Sequence, residues 1–375
     1  MKSLFVLLFL SISISLFCQN TNREAYQYFN AGIEKSRAKD YRGAIKEYSK
    51  AIKIYPHYTK AYYNRGNAKL NLKDHKSAIQ DFLKAINLDP DFAKAYLYKG
   101  YAHMQQKEYN KAEKDFTNAL KRDANLELAY INRGTIYLKK KNYKKAIQDF
   151  DQALLLNSEL NNVFYNRGLC KLSLKNHRGA IADFSSVIRL KPSMTKAYIN
   201  RGKSNLFLER YQKAISDFSY AINKNARDAD NFYYRGFAKM KLNDIGSAVE
   251  DFSVCLEINA KHTKALKNKA ICNYRLENYA EAIEDYTSII RLDPLNQQAL
   301  FNRGVAKLKI NQYETAFTDF TGVIRMDRNF AEAYFNRANA CLQLNRPSDA
   351  CEDMRQAAKL GYEPAFDHVR SLCGS

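Results

Sequence analysis

Charges of opposite sign recur on a fixed beat along this 375-residue chain. A cation stands at Arg65, Lys99, Arg133, Arg167, Arg201, Arg235, Lys269, Arg303 and Arg337, each 34 residues after the last. A carboxylate keeps the same interval at Glu47, Asp81, Asp115, Asp149, Asp183, Asp217, Asp251, Asp285, Asp319 and Asp353. Such pairs can form a basic stripe for an anionic ligand, or they can tie two segments of chain together. The tie is the expected role, and a half-exposed pair adds only about 0–1 kcal/mol. Only the first cycle lacks the cation, with Ala31 in its place. Other chemistry is thinly represented. His75 and His177 fall where other cycles carry Tyr41, Tyr109, Tyr143 or Tyr211, which marks them as packing substitutions. Cys170, Cys255, Cys272 and Cys341 sit at periodic positions beside alanines and form no CxxC pair, so they read as small core residues. HExxH, glycine-rich phosphate loops and GxSxG are absent from the sequence. No catalytic residue, metal site or cofactor is expected, and the chain reads as a non-enzyme.

The elements that must position these charges follow the same period. Gly32, Gly66, Gly100, Gly134, Gly168, Gly202, Gly236, Ala270, Gly304 and Ala338 are 34 residues apart, and an alanine follows each by 12, from Ala44 to Ala350. An unbroken period of this size marks a solenoid whose units cannot bury their own apolar faces alone. In the unit from Thr59 to Phe92, Ala61, Tyr62, Gly66 and Leu70 lie at helical spacing. Ala78, Ile79, Phe82, Ala85 and Ile86 form a second helical stripe. Asp74 and His75 make the turn between the two helices, and Asp89-Pro90 ends the second. Small residues at 66 and 78 let the helices approach to about 8–10 Å. Tyr62 and Phe82 and their periodic equivalents are assigned to the core.

These residues closely resemble the tetratricopeptide repeat, a 34-residue helix–turn–helix. The resemblance covers residues 25–364, with repeats starting near 25, 59, 93, 127, 161, 195, 229, 263, 297 and 331. It implies an all-α fold, a right-handed superhelical solenoid whose first helices line a concave groove for peptides or other proteins. Carried over residue by residue, the groove row is Tyr63, Leu97, Ile131, Tyr165, Tyr233, Phe301 and Phe335, flanked by Asn67, Tyr101 and Phe237. The carboxylate clamp of chaperone-binding members is not expected, because Tyr63, Tyr98 and Leu128 replace its Lys, Asn and Lys.

Charge divides the chain. Residues 19–228 hold 40 Lys and Arg against 20 Asp and Glu, whereas residues 229–375 hold 19 of each. Much of the excess falls in the turns within repeats, at Lys139, Lys140, Lys141, Lys144 and Lys145, Lys175 and Arg178, and Arg210 and Lys213. Such an edge is expected to attract an acidic partner, with salt-sensitive affinity. Residues 1–18, with Lys2 before an apolar run that ends at Phe17-Cys18, read as a signal peptide. Export to the periplasm or the extracellular space follows. A lipoprotein anchored through Cys18 is the alternative, against which the bulky Phe17 counts. Outside the cytoplasm the anionic partners would be acidic protein segments, cell-wall polymers or lipid head groups, not nucleic acid. Residues 365–375 read as a capping helix. An antiparallel hairpin would bring Cys351 and Cys373 level, which makes them the candidate disulfide.

Overall fold

The computed structural model describes residues 23–373, so the signal-peptide reading of 1–18 lies outside the described residues. Among those described, every regular element is an α-helix. The chain divides into two compact units between Leu190 and Lys191. The first unit holds α1 (23–37), α2 (Tyr41–Ile54), α3 (Thr59–Asn71), α4 (His75–Leu88) and α5 (Ala93–Gln105). It continues with α6 (Tyr109–Arg122), α7 (Glu127–Lys139), α8 (Tyr143–Leu156), α9 (Asn161–Ser173) and α10 (His177–Leu190). The second holds α11 (Thr195–Phe207), α12 (Tyr211–Lys224), α13 (Ala229–Lys241), α14 (Ile245–Ile258), α15 (Thr263–Arg275) and α16 (Tyr279–Leu292). It ends with α17 (Gln297–Lys309), α18 (Tyr313–Met326), α19 (Ala331–Gln343), α20 (Pro347–Lys359) and α21 (Glu363–Leu372). Within each unit an even-numbered helix packs on the odd helix before it and on the odd helix after it. Several successive odd helices also touch, such as α3 with α5 and α5 with α7. The odd helices thus make one layer of an all-α solenoid of hairpins.

Helix ends obey a rule that proline alone does not supply. Asp89 follows α4, and its side chain accepts the backbone N–H of Asp91. Asp123, Asn157, Asn225, Asn259, Asp293 and Asp327 do the same after their own helices, most of them with no proline nearby. The stop is a side-chain turn. Tyr55 and Lys191 occupy the equivalent position without a carboxylate or amide, and a proline follows each. The capping helix starts at Glu363 and not at 365, because Gly361, at φ +85°, closes α20 and Pro364 is tolerated in a first turn.

The core is a row of phenylalanines pressed against glycine. Phe82, Phe116, Phe150 and Phe184 in the first unit, and Phe218, Phe252 and Phe320 in the second, are fully buried. A Cβ added to Gly134 would lie 2.8 Å from Phe150 Cε1 and 3.2 Å from Asp149 Cβ. Where alanine replaces this glycine, at 270 and 338, the facing residue is Tyr286 or Met354 and not phenylalanine. The Tyr62 row is core only in part: Phe232 and Leu266 are buried, as the sequence reading expected, whereas the tyrosines of the row lie at the edge of the core. Tyr62, Tyr130 and Tyr198 are half-buried plates under the guanidinium groups of Arg65, Arg133 and Arg201, at 5.5–5.8 Å.

The cation–carboxylate pairs tie the two helices of each hairpin, and they are more buried than the half-exposed pairs expected. Arg65 donates Nε and Nη2 to the two oxygens of Asp81 at 2.9 and 2.7 Å, and the side chains are 18% and 5% exposed. Arg133, Arg235, Arg303 and Arg337 repeat this fork. The remaining Nη1 reaches back to the preceding hairpin. It donates to Ser49 from Arg65, to Thr117 from Arg133, to Ser219 from Arg235, to Thr287 from Arg303 and to Thr321 from Arg337. In the first hairpin, where Ala31 stands, Lys35 and Lys50 hold Glu47 at 2.7 and 3.0 Å. Burial pushes the Asp149 carboxyl above the ordinary carboxylate value against the pull of Arg133. Desolvation thus offsets much of the attraction, and the pair supplies register more than net stability.

Two substitutions test this packing by urea denaturation. Gly134→Ala is expected to destabilise by about 1–3 kcal/mol through overpacking, and adding Phe150→Met, which copies the Ala338–Met354 pair, should recover most of the loss. Arg133→Leu alone should cost about 3–5 kcal/mol by leaving Asp149 buried and unpaired, whereas Arg133→Met with Asp149→Leu should be close to neutral.

Candidate functional site

The layer of odd helices carries two of the pockets among the described residues. In the first unit a pocket of about 580 Å³ spans three consecutive odd helices. Asn67, Leu70 and Asn71 come from α3, Leu97, Tyr98 and Tyr101 from α5, and Leu128 and Asn132 from α7. They meet because positions three and four apart share one helix face. Leu97 is 4% exposed and forms the floor, while Tyr101 at 38% and Leu128 at 49% stand at the rim. The Asn67 side-chain oxygen is buried with no hydrogen-bond partner. In the second unit Ile271, Tyr274, Arg275, Tyr286, Phe301, Asn302 and Val305 enclose a smaller pocket of about 260 Å³.

The aromatic row read as the groove lining is mostly its support. Tyr63 leans on Phe82 at 6.0 Å, Phe92 at 4.8 Å and Tyr98 at 5.8 Å between ring centroids. Tyr165 leans on Phe184, Tyr233 on Phe252 and Phe301 on Phe320, at 5.8–6.1 Å. Each is half-buried, as is Ile131, which packs beside Phe150. The row therefore flanks the phenylalanine core. Burial pushes Tyr63 up to about 12. Phe237 packs on Tyr233 at 6.3 Å. Phe335 is covered by the C-terminal helix, with Tyr362 at 5.1 Å and His368 at 5.4 Å. Of the row and its flanks, Asn67, Leu97, Tyr101 and Phe301 line the two pockets, and the others do not.

The sequence reading missed two features. Residues just before an odd helix, Phe92, His262 and Phe330, cover the aromatic row at 4.8–5.1 Å. Their signal was an apolar or aromatic residue recurring 26 positions after the glycine, as at Tyr58, Phe92, Leu126 and Phe330. The second is a row of asparagines two residues before the glycine: Asn64, Asn132, Asn166, Asn200, Asn268, Asn302 and Asn336. All are partly exposed on odd helices, and Asn132 and Asn302 line the pockets. A carboxamide offers both a donor and an acceptor to a main chain laid across it.

The basic turn residues are exposed, but they are not equally free. Lys140 is paired with Glu113 at 2.5 Å and Asn110 at 2.7 Å. Lys139 lies over the Tyr109 ring and Lys145 over the Tyr137 ring, both at 5.6 Å. Lys141, Lys144, Lys175 and Arg178 are exposed in the first unit, and Arg210 and Lys213 are exposed at the α11–α12 turn of the second. Cys351 and Cys373 are joined as a disulfide that ties α20 to the end of α21, with Cα atoms 5.4 Å apart.

Tyr63, Tyr137 and Tyr286 all rise to about 12 from the ordinary 10.0, chiefly through burial. Their native protons are held while the unfolded chain loses its own, so stability present below pH 10 is lost as pH rises through about 12. Ultraviolet titration should show a late class of tyrosines, and Tyr63→Phe should shrink it. A single class near 10 would contradict the burial.

Family models agree with this architecture. Tetratricopeptide repeat models match residues 59–92, 93–126, 128–160, 273–320 and 301–362, and a TPR repeat model matches residues 38–73. The matched segments span more than half of the chain, and the helices between them keep the same length and spacing. No curated protein sequence matches the chain. Among solved structures, the C-terminal part of a TPR repeat-containing protein from Cytophaga hutchinsonii is 19% identical, with a TM-score of 0.53. That match covers 64% of this chain and 98% of the other, and it is a likeness of fold. YrrB, described as a TPR protein with an unusual peptide-binding site, is 25% identical over 50% of this chain and 97% of its own, with a TM-score of 0.48. Period, hairpin, core and family models converge, and the chain belongs to the tetratricopeptide repeat family.

Proposed function

We propose that this protein is a non-catalytic scaffold that holds an extended or helical segment of another protein against its odd-numbered helices. The observation that carries the reading is the pocket on α3, α5 and α7, with an apolar floor at Leu97, a rim at Tyr101 and Leu128, and amides at Asn67, Asn71 and Asn132. An apolar side chain of the partner would fill the floor, while the amides take its main chain. Tetratricopeptide repeat proteins are typically scaffolds, which supports the class of function. The excess charge of residues 19–228 would speed the encounter with an acidic partner. The signal-like pattern of residues 1–18 and the disulfide near the C-terminus support an exported location, periplasmic or extracellular.

A peptide library displayed on phage and selected against residues 19–375 tests the reading. A consensus sequence should emerge whose binding persists at high salt. Tyr101→Ala and Asn132→Ala should each weaken it by about tenfold, while Arg210→Ala should not. Selection of no consensus, or of one indifferent to both pocket variants, would point to a passive spacer.

A further inference from the structure

Each hairpin turn places one non-glycine residue in the left-handed backbone region, at φ between 56° and 67°. Glycine or asparagine suits that region, because a branched or long side chain brings its Cβ against the backbone there. In the second unit Asn243, Asn311 and Asn345 take three of these positions and Glu209 and Glu277 the others. In the first unit lysine takes all of them, at Lys39, Lys73, Lys107, Lys141 and Lys175. The local preference is overridden in the same way five times, and only where the chain carries its basic excess.

No structural return explains the choice. All five lysines are exposed; their backbone N–H groups close the turn, but among the described residues none of their ammonium groups joins an ion pair, hydrogen bond or ring contact. A cation does favour a helix C-terminus, yet Glu209 and Glu277 sit at that place in the second unit. The neighbouring acids are engaged. Asp40 and Asp74 cap their own helices through Gly43 and Ser77, and Glu108 holds Lys111 at 2.9 Å. The next two turns have neutral Asn142 and Asn176 at that place. The charge is therefore left for something outside the chain.

We infer that the five turn lysines of the first unit form a docking row for a linear polyanion, a polymer carrying phosphate or carboxylate at regular intervals. Lysine presents a point charge without the planar fork of arginine, so the row reads charge and spacing and not the shape of one acid group. One lysine per hairpin gives a periodic surface, which fits a periodic partner. The row is separate from the pocket on α3, α5 and α7, whose lining includes no turn residue.

The test uses the whole protein with lysine changed to asparagine at 39, 73, 107, 141 and 175. The control makes the same change at Lys60, Lys84, Lys94, Lys114 and Lys121, which are exposed helix residues of the same unit. Both variants lose the same net charge. Binding to polyphosphate and to polyglutamate, followed against salt, separates phosphate from carboxylate as the preferred group. The turn variant should lose on the order of tenfold or more in affinity, with a shallower salt dependence. Its melting temperature should be unchanged or higher, since asparagine relieves the turn. The control should lose far less. Lys141→Glu with Lys175→Glu, which copies the residue at 209 and 277, should weaken binding without unfolding. Equal losses in the two fivefold variants would reduce the effect to net charge and overturn the docking row. So would failure to bind either polymer at low salt, or binding confined to phosphatidylglycerol vesicles.

Discussion

A carboxylate buried between two helices must be answered from every side, and this demand organises the whole solenoid. Asp81 and its equivalents are only a few per cent exposed. Each aspartate is gripped across its hairpin by a cation, and Asp81, Asp183, Asp251 and Asp319 are held by a second side chain one helical turn further along, Lys69, Lys171, Lys239 and Lys307. Where the fork is lost to Lys99, His103 adds a contact to Asp115 at 2.7 Å. Where it is lost to Lys269, Asn273 donates to Asp285 at 2.9 Å. Such an arrangement tolerates no slippage, because a helix displaced by one residue would leave a charge unpaired. The third bond of Arg65, Arg133, Arg235, Arg303 and Arg337, to a serine or threonine of the preceding hairpin, passes the same register from hairpin to hairpin within a unit, and Arg167 does so through Asp151. The tyrosine plate beneath the guanidinium fixes its plane.

With register set by polar bonds, the apolar core needs only to fill space. In most hairpins a phenylalanine does so against a glycine, and Tyr48, Tyr286 and Met354 take its place against Gly32, Ala270 and Ala338. The aromatic row beside it flanks the core, and at Tyr63, Tyr233 and Phe301 a residue from the turn ahead of the next odd helix covers it in turn. The C-terminal helix does this for Phe335, and the disulfide between Cys351 and Cys373 holds that cover in place. What is left open on α3, α5 and α7 is narrow: a leucine floor, a rim of tyrosine and leucine, and asparagine amides.

The turns show a different pressure. Their backbone is the same in both units, so the residues they carry are a controlled comparison made by the chain itself. Neutral amides satisfy the second unit at three positions, and lysine is imposed throughout the first. Local conformational preference and charge pull in opposite directions there, and charge prevails.

The sequence alone determined the period, the hairpin, the small residues at the crossing and the pairing of Arg65 with Asp81. All of these follow from the fixed rise and turn of a helix folded back on itself. It did not determine which aromatic row lies inward. Tyr62 and Tyr63 are adjacent, so they point about 100° apart, and only the angle at which α3 meets α4 and α5 assigns one to the arginine and the other to the core flank. Nor could it place the third bond of arginines such as Arg65 and Arg133, since that bond joins hairpins whose offset is a property of the stack within a unit. The open pocket was legible at Asn67, Leu97 and Tyr101 but not in its partners Asn71 and Asn132, because a pocket is what three separate helices leave unfilled.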